Sequence, residues 1–165
     1  MGMDIYGKAA TTEAGSYFRN NVWWWRPLAD YVTGTYPALT EACTYWHSND
    51  GDGLNAEQSL ALAEAIERDL ASGAVAAYAA QYEAALAALP DEECTICHGA
   101  GVRTDEIGRQ HGYDVPRDEA TGRGGCNGCQ GKGRTPSWAT HYPFSEENVR
   151  EFATFLRECG GFEIC

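Results

Sequence analysis

Two stretches of the chain, Cys94-Thr95-Ile96-Cys97-His98-Gly99-Ala100-Gly101 and Cys126-Asn127-Gly128-Cys129-Gln130-Gly131-Lys132-Gly133, follow one pattern, C-x-x-C-x-G-x-G, at every fixed position. A two-residue gap lets both thiolates of such a knuckle face one ion, and the glycines behind it allow positive φ and close backbone approach around the sulfurs. Two knuckles supply the four soft donors of a tetrahedral site, so Cys94, Cys97, Cys126 and Cys129 are the expected ligands of one structural zinc ion. Iron stays open, because the spacing does not select the metal. Two disulfides would need an oxidising compartment that nothing here indicates, and a redox C-x-x-C normally stands alone at a helix start. His98 could replace a thiolate, but four cysteines already complete the shell. A closed shell leaves no position for water or substrate, so the ion is expected to stabilise rather than catalyse. The chain has neither the His-x-Glu of zinc deaminases nor a His-Glu-x-x-His.

Outside the knuckles, Trp23-Trp24-Trp25-Arg26 stands out. Consecutive side chains diverge by about 100° on a helix or alternate on a strand, so all three indoles cannot enter one core. At least one is expected at the surface or in a cleft, where Trp and Arg are favoured interface residues. Plain core is the competing reading. Trp46-His47-Ser48-Asn49-Asp50-Gly51-Asp52-Gly53 partly matches a calcium loop, but the twelfth position falls on Ser59 where a bidentate Glu is required. A tight turn ahead of a helix is the simpler expectation. The sharper alternative sets His47, Asp50 and Asp52 opposite the tryptophans, with Trp46, in a small-molecule cleft. Cys43, Cys159, Cys165, His111 and His141 have no motif around them.

The two cysteine repeats resemble the zinc-binding motif of the DnaJ chaperone family, which small bacterial zinc proteins such as the anti-TRAP regulator also use. The resemblance covers residues 94–134 only. The DnaJ family has four such repeats forming two zinc sites and a J domain with His-Pro-Asp, a tripeptide this chain lacks. The resemblance therefore implies a structural zinc joining two knuckles, in a module that binds proteins more often than it performs chemistry. The segments Phe18 to Leu28 and Phe144 to Cys165 look similar to uncharacterised small proteins of bacteria and their phages, which implies no activity.

The elements that hold these residues can be read from periodicity and caps. Pro27 and Pro37 suit the first turns of short helices, expected near 27–33 and 37–45. Asn55 and Gln58 form a capping box ahead of Leu60, Ala63, Ile66 and Leu70, and Val75, Tyr78, Tyr82, Leu86 and Leu89 continue at helical steps, predicting a helical hairpin. Ser145 is the expected cap of a last helix, with Glu146 and Glu147 at its positive end and Phe144 stapled to Val149. Gly160-Gly161 stops it, leaving Phe162-Glu163-Ile164-Cys165 as an extended tail.

At 165 residues, 44% of them hydrophobic, the chain can bury a proper core. A net charge of −12 disfavours nucleic acid as a partner. Residues 94–134 differ: six basic and five acidic residues, ten of the 19 glycines and four of the seven cysteines fall there. No apolar run reaches the roughly 20 residues a membrane span needs, and neither an export signal nor a lipid anchor is recognised, so a cytoplasmic protein is expected. The expected fold is mainly α. A helical region with a hairpin over 1–93 and a C-terminal helix and tail over 135–165 form one compact domain, with a four-cysteine zinc-knuckle insertion at 94–134. The expected function is a zinc-stabilised, non-enzymatic interaction protein acting on a protein partner, and the resemblance to small phage proteins implies a phage-encoded one. The alternative is an enzyme or nucleotide-type ligand binder using the Trp, His and Asp cleft.

Overall fold

The computed structural model describes residues 2–165, and the chain divides into two compact units. One comprises the chain up to Ala85 together with His141–Cys165, and the other is Leu86–Thr140, which holds both knuckles.

The first unit begins with β1 (Gly2–Gly7), a one-turn α1 (Glu13–Ser16), β2 (Tyr17–Asn21) and α2 (Val22–Thr35). A short α3 (Pro37–Thr40), α4 (Ala56–Ser72) and α5 (Ala74–Ala87) follow. The second unit contains β3 (Glu92–Glu93), α6 (Glu106–His111) and β4 (Arg134–Thr135). A 3-10 turn at Trp138–His141 leads back to α7 (Glu146–Glu158) and β5 (Phe162–Ile164). The protein is mainly helical.

Several expected boundaries move. The helix placed at 27–33 starts at Val22, because the Asn21 side chain accepts the N–H groups of Trp23 and Trp24 and caps the helix a turn earlier. Pro27 is thus inside α2 with its ring buried. The helix placed at 37–45 closes after one turn, at Thr40. The hairpin of α4 and α5 does not form. Only Gly73, in left-handed backbone, separates the two helices, and α4 packs on α7 and α3 instead. In α5 the only fully buried side chain is Val75.

Both predicted caps are present. Asn55 Oδ1 accepts from Gln58 N at 2.9 Å while Gln58 Oε1 accepts from Asn55 N at 3.0 Å, and Ser145 Oγ accepts from Asn148 N at 3.2 Å. The ring of Phe144 lies among those of Tyr31, Tyr78 and Tyr82.

A three-stranded antiparallel sheet, in the order β2-β1-β5, was not expected beyond its extended tail. Ile5 stands opposite both Phe18 and Ile164, and the alternating residues Met3, Ile5, Phe18, Phe162 and Ile164 all point into the core. There they meet Trp25, Trp46, Leu62, Ile66, Val149, Phe152, Phe155 and Leu156. Phe152 is the hub of this packing. Its ring meets Trp25 edge-on at 5.8 Å and touches Phe18, Trp46, Phe155 and Phe162 within 6.4 Å.

Truncating such a ring leaves a cavity that its neighbours can only partly fill. Phe152→Ala should cost about 3–5 kcal/mol and Asn55→Ala, which removes only a cap, about 1 kcal/mol. Urea unfolding followed by circular dichroism checks both values.

Candidate metal centre

The knuckle unit is built as two copies of one turn. Cys94 O accepts from His98 N, four residues on, at 2.8 Å in the first, whereas Cys126 O accepts from Gly131 N, five residues on, at 3.2 Å in the second. Ala100 N and Lys132 N donate to the carbonyls of Cys97 and Cys129 at 3.0 and 3.1 Å. The residue after each second cysteine, His98 or Gln130, takes positive φ, at 48° and 54°. This conformation is uncommon for side-chain-bearing residues, and it occurs here at the same position of both repeats.

The copies are tied together reciprocally. Cys94 N donates to Gly133 O at 2.9 Å, and Cys126 N donates to Gly101 O at 2.7 Å. The final glycine of each motif therefore receives the first cysteine of the other. A Cβ on Gly101 would lie 2.6 Å from Gly131 O, and one on Gly133 would lie 2.3 Å from Gly99 O. Both glycines also have positive φ, so backbone conformation and backbone spacing demand glycine independently. The short β3–β4 pairing, Glu92 with Thr135 and Glu93 with Arg134, closes the base of the unit.

This frame brings the four cysteine sulfurs within 4.8 Å of one another, and all four residues are buried. Cys94 and Cys126 Sγ are 3.9 Å apart, and Cys97 and Cys129 Sγ 3.6 Å. A tetrahedral ion with metal–sulfur bonds of about 2.3 Å spaces its sulfurs about 3.8 Å apart, so the donor set fits such an ion in number, chemistry and distance. The N–H groups of Cys97 and Ile96 hold the Cys94 thiol down at about 7, whereas burial pushes Cys97 up to about 11. Four thiolates this close repel one another unless a cation lies among them, and a coordinated thiol is deprotonated outright. Gly133 N donates to Cys129 Sγ at 3.1 Å, adding a fixed dipole to that sulfur. The four cysteines could therefore hold a metal ion. His98 is exposed.

The other candidate residues lie in the first unit, and their polar groups are engaged locally. Trp25 is fully buried and donates its indole N–H to the Trp46 carbonyl at 2.6 Å. Trp46 is buried and stacks on it. Trp24 is 37% exposed, and the ring of Trp23 lies 4.9 Å from that of Tyr142. Arg26 sits over the Tyr142 ring at 5.9 Å. His47 Nε2 is 2.9 Å from Asp30 Oδ1 on α2, and Asp50 accepts the hydroxyl of Ser48.

Asp52 accepts the N–H groups of Thr44, Tyr45 and Gly53 at 2.6–2.9 Å. These bonds, Tyr45's foremost, hold its carboxyl below the usual range, and they identify it as the pin of a turn. Burial pushes the Cys43 thiol up to about 12, which makes it unreactive at neutral pH. The sequence reading missed Arg103, whose guanidinium holds both Asp105 carboxylate oxygens and also donates to Asn127 Oδ1 at 3.2 Å. It ties the exit of the first knuckle to the second. Only the run of Arg103 followed by Asp105 hinted at it.

No family model matches the chain, and neither a curated protein nor a solved structure does.

The reciprocal packing of glycine on backbone makes a sharp prediction. Gly101→Ala or Gly133→Ala should lower metal affinity at least tenfold with all four cysteines retained, whereas Gly34→Ala on α2, whose Cβ would meet nothing within 4 Å and whose φ is not positive, should not. Competition with a chromogenic chelator measures it. Because the ligands must be thiolates, affinity in each variant should fall as pH falls.

Proposed function

We propose that this chain is a cytoplasmic, zinc-stabilised binding protein that acts by docking on another protein rather than by turning over a substrate. The completeness of the four-sulfur set carries this reading. With every tetrahedral position supplied by cysteine, a bound zinc has no place for water or substrate and contributes folding energy instead. The resemblance of the doubled C-x-x-C-x-G-x-G pattern to DnaJ-type zinc motifs supports the same assignment. Zinc is the ion proposed because its structural sites are closed tetrahedral shells of thiolates such as this set of four cysteines would supply.

Trp24 and Arg26 are the proposed docking residues in the first unit. Both are exposed on α2, while the neighbouring Trp25 anchors that helix in the core. Trp and Arg are both enriched at interface hot spots. An enzyme built on His47, Asp50 and Asp52 is disfavoured, since each is engaged by its own neighbourhood.

Elemental analysis of protein purified without chelator should return one zinc per chain, falling below stoichiometry in Cys94→Ser or Cys126→Ser. Absence of zinc would remove the structural-ion reading. Chelation should increase hydrogen exchange over 86–140 far more than in α4 and α7, because that unit has little else to hold it.

Trp24→Ala should reduce capture of a partner from the native cell at least tenfold while leaving zinc content and helicity unchanged, since a surface residue contributes little to stability. Undiminished capture would place the docking surface elsewhere. Loss of a measurable catalytic activity on His47→Ala, with folding preserved, would replace the binding reading by the enzymatic one.

A further inference from the structure

Between the knuckles, residues 102–125 form a loop whose conformation is held by its own hydrogen bonds. Arg103 N donates to Tyr113 O at 2.9 Å and Gly125 N to Val115 O at 2.7 Å, while Asp118 N donates to Arg123 O at 2.8 Å. Asp118 also accepts the N–H groups of Ala120 and Thr121, so its charge is used to cap the turn. Against the second knuckle this loop encloses an open groove of about 650 Å³, within the roughly 300–1,000 Å³ of small-molecule sites.

The chemistry of the groove wall is unusual for so acidic a chain. His111, Tyr113, Arg117, Arg123, Asn127 and Gln130 line it, and no carboxylate does. Neither the Arg117 nor the Arg123 guanidinium has an ion pair or hydrogen bond to another described residue, although acidic residues outnumber basic ones 24 to 12. Arg117 is held in position. A Cβ on Gly131 would lie 2.8 Å from its Cβ and 3.3 Å from its Cδ, so the arginine stem runs over the bare glycine backbone of the second knuckle. A second groove, of about 550 Å³, lies on the other side of the same arginine and adds Lys132 and the carboxylate of Glu119.

Two guanidiniums without partners, one of them preorganised, are suited to phosphate oxygens. At the other side, the rings of His111 and Tyr113 are stacked, 5.9 Å apart at 26°, and form a flat aromatic ledge. Asn127 uses its Oδ1 for Arg103, which leaves its amide N–H groups free to donate, and the Gln130 amide is free for both roles. We propose that this groove binds a nucleoside phosphate. The two arginines take the phosphates, the His111–Tyr113 ledge stacks on the base, and the Asn127 and Gln130 amides read its edge. A single small anion of this kind fits the local wall, whereas a nucleic-acid backbone would also meet the repulsion of the whole chain.

The site is distinct from the protein-docking surface proposed on α2 and does not depend on it. Asn127 and Gln130 belong to the second knuckle, so occupancy of the groove is coupled to the integrity of the metal centre.

Calorimetric titration of the metal-loaded full chain with ADP and GDP tests the proposal, with pyrophosphate and adenosine as partial ligands. Either nucleotide should bind at least tenfold more tightly than both partial ligands. Arg123→Gln should weaken it at least tenfold at unchanged metal content and helicity, and Arg117→Gln should do the same. Should Arg117→Gln disturb the knuckle, metal content will show it, and Arg123→Gln, on the exposed loop, still decides. No heat for either nucleotide at about 1 mM overturns the proposal. Pyrophosphate binding as tightly as ADP overturns it in favour of a bare anion site, and nucleotide binding unchanged in Arg123→Gln places the nucleotide elsewhere.

Discussion

The 86–140 unit has almost nothing apolar to fold around. Its buried cluster consists of Cys94, Cys97, Cys126 and Cys129, and its larger apolar side chains, Ile96, Ile107, Val115 and Trp138, are exposed. A segment of this size that buries so little apolar surface cannot offset the conformational entropy of ordering its many glycines. The sulfur quartet stands where a hydrophobic core stands elsewhere, and a metal ion held by it would supply folding energy that this unit's apolar side chains do not. The doubled turn, the reciprocal amide–carbonyl bonds and the glycines at the closest backbone approaches together bring the four sulfurs within 4.8 Å of one another.

The other unit obeys the opposite rule. Its strands and helices converge on a large aromatic and aliphatic core with Phe152 at the centre, and its buried cysteines, Cys43 and Cys159, belong to that core as small apolar groups. Its surface carries most of the acidic charge. Polar residues that could have formed a reactive cluster, His47, Asp50 and Asp52, fix the loop between α3 and α4 to its own backbone and to α2. The chain thus separates a body with a large hydrophobic core from a unit whose buried cluster is four cysteines.

Basic side chains are paired in some places and displayed in others. In the hydrophobic body, Arg157 pairs with Glu67 across α7 and α4, and Arg150 pairs with Glu146 and Glu147 along α7. In the knuckle unit Arg103 is consumed in holding the frame, but Arg117, Arg123 and Lys132 are displayed around grooves whose floor is glycine backbone. The glycine-rich turns carry these side chains outward, and Glu119 supplies the one carboxylate that lines either groove.

Much of the architecture was legible in the residues because it is local. The capping box at Asn55 and Gln58, the Ser145 cap and the cysteine spacing each involve partners within three residues or repeat a fixed turn, so chemistry and spacing suffice to place them. The start of α2 was misplaced because Pro27 is a weaker signal than the Asn21 cap ahead of it, and β1 and β2 were missed because their alternation is short and acquires meaning only when Ile5 is flanked by Phe18 and Ile164. Which tryptophan of 23–25 enters the core was beyond any local rule. Helical geometry requires the three to diverge, but the choice of Trp25 is made by the Trp46 carbonyl and the Phe152 ring, which are brought to it from distant parts of the chain. The pairing of the knuckles divides in the same way: each motif specifies its own turn, whereas the meeting of Cys94 with Gly133 and of Cys126 with Gly101 is a long-range contact, settled only when two copies of that turn close on a common set of sulfurs.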